Sequence, residues 1–220
     1  MLDRPQNRIQ IGLIVAMALA GLWALNELPP DARVPIHFNW QGVADGWTSP
    51  ARGLFLMPIV AASMLGLQGL LPRLDPRGDN LQRSAGAVAS IFAAAAGVLA
   101  LLQAMIIGGA LGAALPGSWI QVALGALFVV MGNVMGKLRF NHLVGIRTPW
   151  TLADERVWDQ THRYGGKVFV IGGLLLFAIA AGAPHAGWAA PAGLAVIALC
   201  VLVPTLKSYR LWRDLPGRRG

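Results

Sequence analysis

Between residues 137 and 167 the chain gathers groups able to do acid–base work: His142, Asp154, Glu155, Asp159 and His162, interspersed with Arg147, Arg156 and Arg163. Carboxylates and imidazoles serve proton transfer or metal ligation when their spacing brings them to one point. This spacing does not impose one. His162 lies eight residues after Asp154 and four after Trp158, outside any H-E-x-x-H pattern. The sequence holds no serine elbow, phosphate loop or cysteine cluster. Its single cysteine, Cys200, sits within an apolar run and reads as a small packing residue. A second pair, His37 and Asp45, has no further histidine beside it. Metal ligation is therefore the poorer reading there, and a hydrogen-bonded histidine that fixes its loop and senses pH the better one. No catalytic residue, metal or cofactor is expected, and the protein is read as a non-enzyme. For the 137–165 stretch three uses stand: a structural clamp first, then a docking surface for a cytoplasmic protein or anionic lipid, and last a catalytic site.

Local rules describe the elements that must position these groups. Gly145 marks a turn, and Pro149 fixes its own φ while biasing Thr148 toward an extended conformation. Thr151 with Asp154 three residues on reads as a helix N-cap with an acidic first turn. The helix then carries Asp154, Trp158 and His162 on one face, and is expected to fray or bend at Gly165-Gly166. Arg147 is expected to bond in bidentate fashion to Asp154, Glu155 or loop carbonyls, with His162 stacked on or bonded near Trp158. Asn133, an amide inside an apolar run, needs a partner, and is expected to brace the same turn as Asn141.

Asn133, Asn141, Gly145-Ile146-Arg147-Thr148-Pro149-Trp150-Thr151-Leu152, Trp158 and Thr161-His162-Arg163 together resemble the signature of the SdpI family. Its members are small bacterial membrane proteins, named for one that gives immunity to a secreted killing toxin. A second segment, Pro35-Ile36-His37-Phe38-Asn39 with Gly42 and Asp45-Gly46-Trp47, resembles the extracytoplasmic domain of unknown function that often precedes that signature. The two matches cover roughly the first third and the middle of the chain. The resemblance implies an immunity or signalling protein of the bacterial inner membrane. A secreted peptide toxin or envelope signal would meet it outside, at His37, Asn39, Gly42, Asp45 and Trp47. Inside, a soluble partner would read the signature loop; in the family's namesake this is a transcriptional repressor held at the membrane. The alternative is a small transporter or lipid-handling protein, for which amphipathic loops would act as gates.

Composition agrees with the membrane class. Hydrophobic residues make up 55% of the 220 and charged residues 13%, about half the share of a soluble domain. The net charge of +8 does not point to nucleic acid, because the basic residues are scattered at the ends of apolar runs instead of lining one face. Six runs are long enough to span ~30 Å of hydrocarbon: approximately 9–26, 53–71, 86–112, 118–136, 166–183 and 189–206. With the N-terminus in the cytoplasm, sixteen of the eighteen Lys and Arg fall inside, and only Arg33 and Arg52 outside. The expected fold is all-α: six spans, both termini inside, a short outer flap with a possible hairpin, and a structured inner loop-helix.

Four regions follow. Residues 1–71 hold the first span, the flap (27–52) and the second span. Residues 72–136 hold the third and fourth, 137–165 the motif loop and short helix, and 166–220 the last two spans and a basic tail. In the flap, alternation from Val34 places Ile36, Phe38 and Trp40 on one face, laid on the membrane or the helix ends. Gly108-x-x-x-Gly112 and Gly132-x-x-x-Gly136 read as close-packing helix contacts. The connection from Pro72 to Ser84 reads as solvated, without chemistry. The oligomeric state is not legible.

Overall fold

A computed structural model describes residues 4–38, 44–113, 115–182 and 186–216. Of the flap candidates, Asn39 and Gly42 lie outside the described residues, as does Trp40. The elements, in chain order, are α1 (Pro5–Glu27), β1 (Val34–Phe38), β2 (Ala44–Thr48), α2 (Pro50–Leu74), α3 (Gly78–Arg83), α4 (Ala85–Ala110), α5 (Ser118–Met135), α6 (Pro149–Ala153), α7 (Glu155–Gly182) and α8 (Ala189–Arg213). Six of the helices are long and apolar enough to cross a membrane. They correspond one to one with the six apolar runs. Prolines punctuate them as backbone sterics require: Pro5, Pro50 and Pro149 begin helices, where a missing N–H costs nothing, and Pro29-Pro30 follows the extended cap residue Leu28.

The long helices pack in two groups. The first packs α1, α2 and α4; the second packs α7 against both α5 and α8; α4 against α5 joins them. At one end of the bundle β1 and β2 form an antiparallel hairpin, so the possible hairpin is present. Of the expected apolar face, only Ile36 has a described side chain. Val34 and Pro35 are the buried residues, Val34 lying over Gly53 and Pro35 over Gly109. Ile36 stands 40% exposed, because the ladder slips between Pro35 and Phe38 and only its first residues reach the helix ends.

Between α5 and α7 the two backbones meet along a close seam. A Cβ on Gly132 would sit 2.5 Å from the carbonyl oxygen of Gly166, and one on Gly125 would sit 2.9 Å from that of Gly173. The two backbones approach where neither helix carries a side chain. The operative spacing is thus seven residues on each helix. Gly132 takes part in it, whereas Gly136 meets only Arg163. This seam also explains why α7 does not bend at Gly165-Gly166: it runs unbroken from Glu155 to Gly182, and those glycines are buried contacts. The largest core cluster spans Phe128, Met135, Leu138, Phe140, Trp158 and Phe169 and reaches Leu71 and Leu81. It gathers at the bundle end opposite the hairpin.

Candidate functional site

The chain leaving α5 crosses that end and returns through α6 into α7, and nearly every polar group along it has a named partner. Asn141 is fully buried and closes a turn on itself. Its Oδ1 accepts from the Leu143 and Val144 N–H groups at 2.9 and 2.7 Å, while its Nδ2 donates to the Arg139 and Val144 carbonyls. Gly145 then takes φ +131°, a conformation that favours glycine. A side chain there would strike His162 Nε2 and the Trp158 ring. The next residue uses the space so kept, as the Ile146 N–H donates to His162 Nε2 at 2.9 Å.

That bond settles the tautomer. Nε2 accepts, so Nδ1 carries the proton and donates to the Trp158 carbonyl at 2.8 Å. The imidazole also stacks on the Trp158 ring at 4.0 Å. Both expected contacts of His162 are present together. Trp158, itself without exposure, donates from Nε1 to the Leu138 carbonyl at 2.8 Å and lies edge-on to Phe140. With both ring nitrogens engaged, His162 offers neither a base nor a ligand position.

The helix cap is Thr148, not Thr151. Thr148 Oγ1 accepts from the Thr151 N–H and Thr151 Oγ1 from the Thr148 N–H, a reciprocal capping box around Pro149. Thr151 Oγ1 also donates to the Ile146 carbonyl at 2.8 Å. Asp154 has extended backbone and caps the next helix from outside it. Its Oδ1 receives the Arg156 and Val157 N–H groups at the start of α7, and its carboxylate pairs with the Arg156 guanidinium. That side-chain bond, with the backbone bonds, holds the Asp154 carboxyl below its ordinary range.

Two expectations are corrected here. Arg147 points to the surface and bonds a loop carbonyl, one of its expected alternatives, but through a single bond to the His142 carbonyl at 3.0 Å and, among the described residues, to no carboxylate. Asp154 is already taken by Arg156, which leaves the fork without a matching acceptor. Asn133 is exposed and folds back on its own helix, donating to the Val129 carbonyl at 2.8 Å. Four residues along a helix suffice to satisfy an amide without help from the loop.

The residues that tie this loop to the rest of the molecule lie in the connection read as solvated. Asp75 is 6% exposed at the end of α2. Oδ2 accepts from the His142 N–H at 2.7 Å, Oδ1 accepts from the Arg77 N–H at 2.7 Å, and the His142 ring lies 3.4 Å away. Burial pushes the Asp75 carboxyl up, but these bonds together hold it below its ordinary value. Nearby, Asn80 donates to the Phe140 carbonyl, Ser84 Oγ accepts from the Arg139 N–H, and the Arg77 guanidinium lies over the Phe140 ring. On the far side Thr148 meets Ser208 Oγ at 3.0 Å, and Trp150 packs on Tyr209. The only sequence signal for Asp75 was its place before Pro76, where a helix must stop and an acceptor can turn inward.

At the hairpin end, His37 Nδ1 and Asp45 Oδ1 lie 2.5 Å apart across the two strands, and Trp47 is 49% exposed beside them. Among the described residues no three His, Cys, Asp or Glu groups gather as a metal site. Reasoning from apolar runs also missed polar groups buried near the start of α1. Asn7 accepts from Gln68 at 2.9 Å, and Gln10 is wholly buried with both amide atoms lacking a protein partner.

The model for the SdpI/YfhL protein family matches residues 137–212, and a model for a domain of unknown function, DUF1648, matches residues 12–62. The first covers the loop with α7 and nearly all of α8; the second covers most of α1, the hairpin and the first half of α2. Immunity protein SdpI of Bacillus subtilis (strain 168) is 32% identical over 100 residues, 46% of this chain and 47% of that one. The chain thus spans about half the length of the relative it matches. No solved structure matches it. Two segments similar to these families, in this order and in one bundle with six helices fit to span a membrane, mark the chain as a multi-pass bacterial membrane protein that resembles the SdpI family over its signature half.

Proposed function

We propose that the protein confers immunity: it meets a secreted peptide toxin or envelope signal at the hairpin and passes the event to the signature loop, without catalysis. The hairpin then faces outward and both termini face the cytoplasm, as the sixteen-to-two distribution of basic residues favours. The observation that carries this reading is α2. It begins directly after the hairpin, where Gly53 packs under Val34, and ends at Asp75, which holds the His142 backbone. One helix of 25 residues, about 37 Å long at ~1.5 Å per residue, links the two recognition segments mechanically. Similarity to an immunity protein supports the same reading. On the inner side the rim of Arg147, Pro149 and Trp150 offers a surface for a soluble partner. The small cavity lined by Arg4, Asn7, Gln68, Leu71 and Leu81 holds about 20 Å³, room for about one water, and lends the transport alternative no support.

The test expresses the parent and the His37→Ala, Asn39→Ala and Trp47→Ala variants in toxin-sensitive cells and challenges them with supernatant from a toxin-secreting strain. Survival should fall at least tenfold for the variants while their membrane levels stay near the parent's. Equal survival of all three removes the hairpin from the mechanism, and absence of protection by the parent removes immunity.

A further inference from the structure

We propose that the groove between α1 and α2 seats one anionic phospholipid of the surrounding bilayer, its phosphate on Arg73 and an acyl chain along Ala62, Gly66 and Gly69. The groove has a volume of about 570 Å³, with Ile11 and Val15 on its α1 wall and Arg73 at its end. That size lies within the ~300–1,000 Å³ range of small-molecule sites. Residues 62, 66, 69 and 73 recur at helical spacing, so three small residues and the arginine form one stripe down α2.

The glycines here do something different from those of the α5–α7 seam. A Cβ added at Gly66 or Gly69 would meet no heavy atom within 4 Å. Neither residue therefore serves helix packing, although each weakens the helix relative to alanine. Their effect is to leave the groove open toward the membrane, where an acyl chain is the available filler.

Charge decides which lipid. The Arg73 side chain is exposed and has no carboxylate or hydrogen-bond partner among the described residues. Asp75, two residues on, is turned away toward Arg77 and His142. Arg8 stands one turn before Ile11 on the same face of α1, next to Asn7 and so about level with Gln68, and adds a second cation toward the same end of the groove. A planar guanidinium binds phosphate in a forked geometry, and basic residues at the interface attract anionic headgroups. A neutral, zwitterionic lipid would fill the groove but gain little from two cations.

Native mass spectrometry of the purified protein tests this, after reconstitution with equal amounts of phosphatidylglycerol and phosphatidylcholine. The parent should retain one phosphatidylglycerol in preference to phosphatidylcholine. Gly66→Leu with Gly69→Leu should reduce the retained fraction at least fivefold by filling the groove. Arg73→Gln should abolish the preference without altering the groove, so the headgroup claim does not depend on the leucine variants folding. Gly12→Leu, another open glycine outside the groove lining, should leave retention unchanged. Undiminished retention by the double leucine variant, or parental preference surviving Arg73→Gln, overturns the proposal. So does equal retention of both lipids by the parent.

Discussion

Replacing Asp75 by asparagine asks how firmly the end of α2 is joined to the signature loop. The carboxylate accepts the His142 N–H on one oxygen and the Arg77 N–H on the other, each at 2.7 Å, with its side chain wholly buried. Asparagine keeps one acceptor and offers an NH2 to the other N–H, leaving a buried donor facing a donor. Hydrogen bonds to a charged group are worth ~1.5–3 kcal/mol, and a stranded buried donor costs ~1–3 kcal/mol. The variant should lose about 2–4 kcal/mol at pH 7, read as a melting temperature lower by about 4–16 °C at ~2–4 °C per kcal/mol. The Asp75 carboxyl sits below its ordinary value in the folded protein. Its contribution is therefore complete above the unfolded aspartate value of ~3.9 and is lost as pH falls through the folded one. Melting of parent and variant in detergent should differ most near neutrality, and the gap should close only in strong acid. A variant that melts within 1–2 °C of the parent at pH 7, or a gap that already closes near pH 6, refutes the bond as the link.

Gly145→Ala and Arg147→Ala should separate a rigid interior from a tolerant rim. The first forces φ +131° on an alanine and drives its Cβ into His162 and Trp158, so thermal melting should show ~2–4 kcal/mol lost from strain and the broken Ile146 bond. The second removes one exposed hydrogen bond and should cost under ~1 kcal/mol. Membrane orientation follows from labelling single cysteines in a Cys200→Ser background. Ser49→Cys should react with an impermeant maleimide on intact cells, and Asp159→Cys only after permeabilisation. The reverse pattern inverts the proposed topology.

The six spans were legible because length and apolar composition alone fix them, and the prolines mark their ends. The loop interior was legible in part, since Gly145, Trp158 and His162 have side-chain demands that few geometries satisfy. The choice of Arg147 among its expected partners and the partner of Asn133 were not. Pattern cannot rank a loop carbonyl against a carboxylate for the one, or its own helix against the loop for the other. Thr151 reads as the cap from its acidic first turn, yet the cap is Thr148, the residue before Pro149. Asp75 stayed hidden because a charged side chain between two helices reads as solvated until the loop that covers it, 67 residues later, is in place.

That delay carries a consequence for biogenesis. Asp75, Asn80 and Ser84 are synthesised and delivered to the membrane before the chain that needs them, and Phe140, Arg139 and His142 bond to them on arrival. The first half therefore acts as a template on which the second is assembled, in the order in which the ribosome releases them. A fragment starting in the connection between α4 and α5 would carry the whole signature yet lack the Arg77, Asn80 and Ser84 contacts to Phe140 and Arg139, and Leu71 and Leu81 from its core. Its loop would keep Thr148 on Ser208 and Trp150 on Tyr209 but lose the fastenings of its other side, and be more open to proteolysis. Damage confined to the end of α2 would then be seen first as loss of the distant half of the protein.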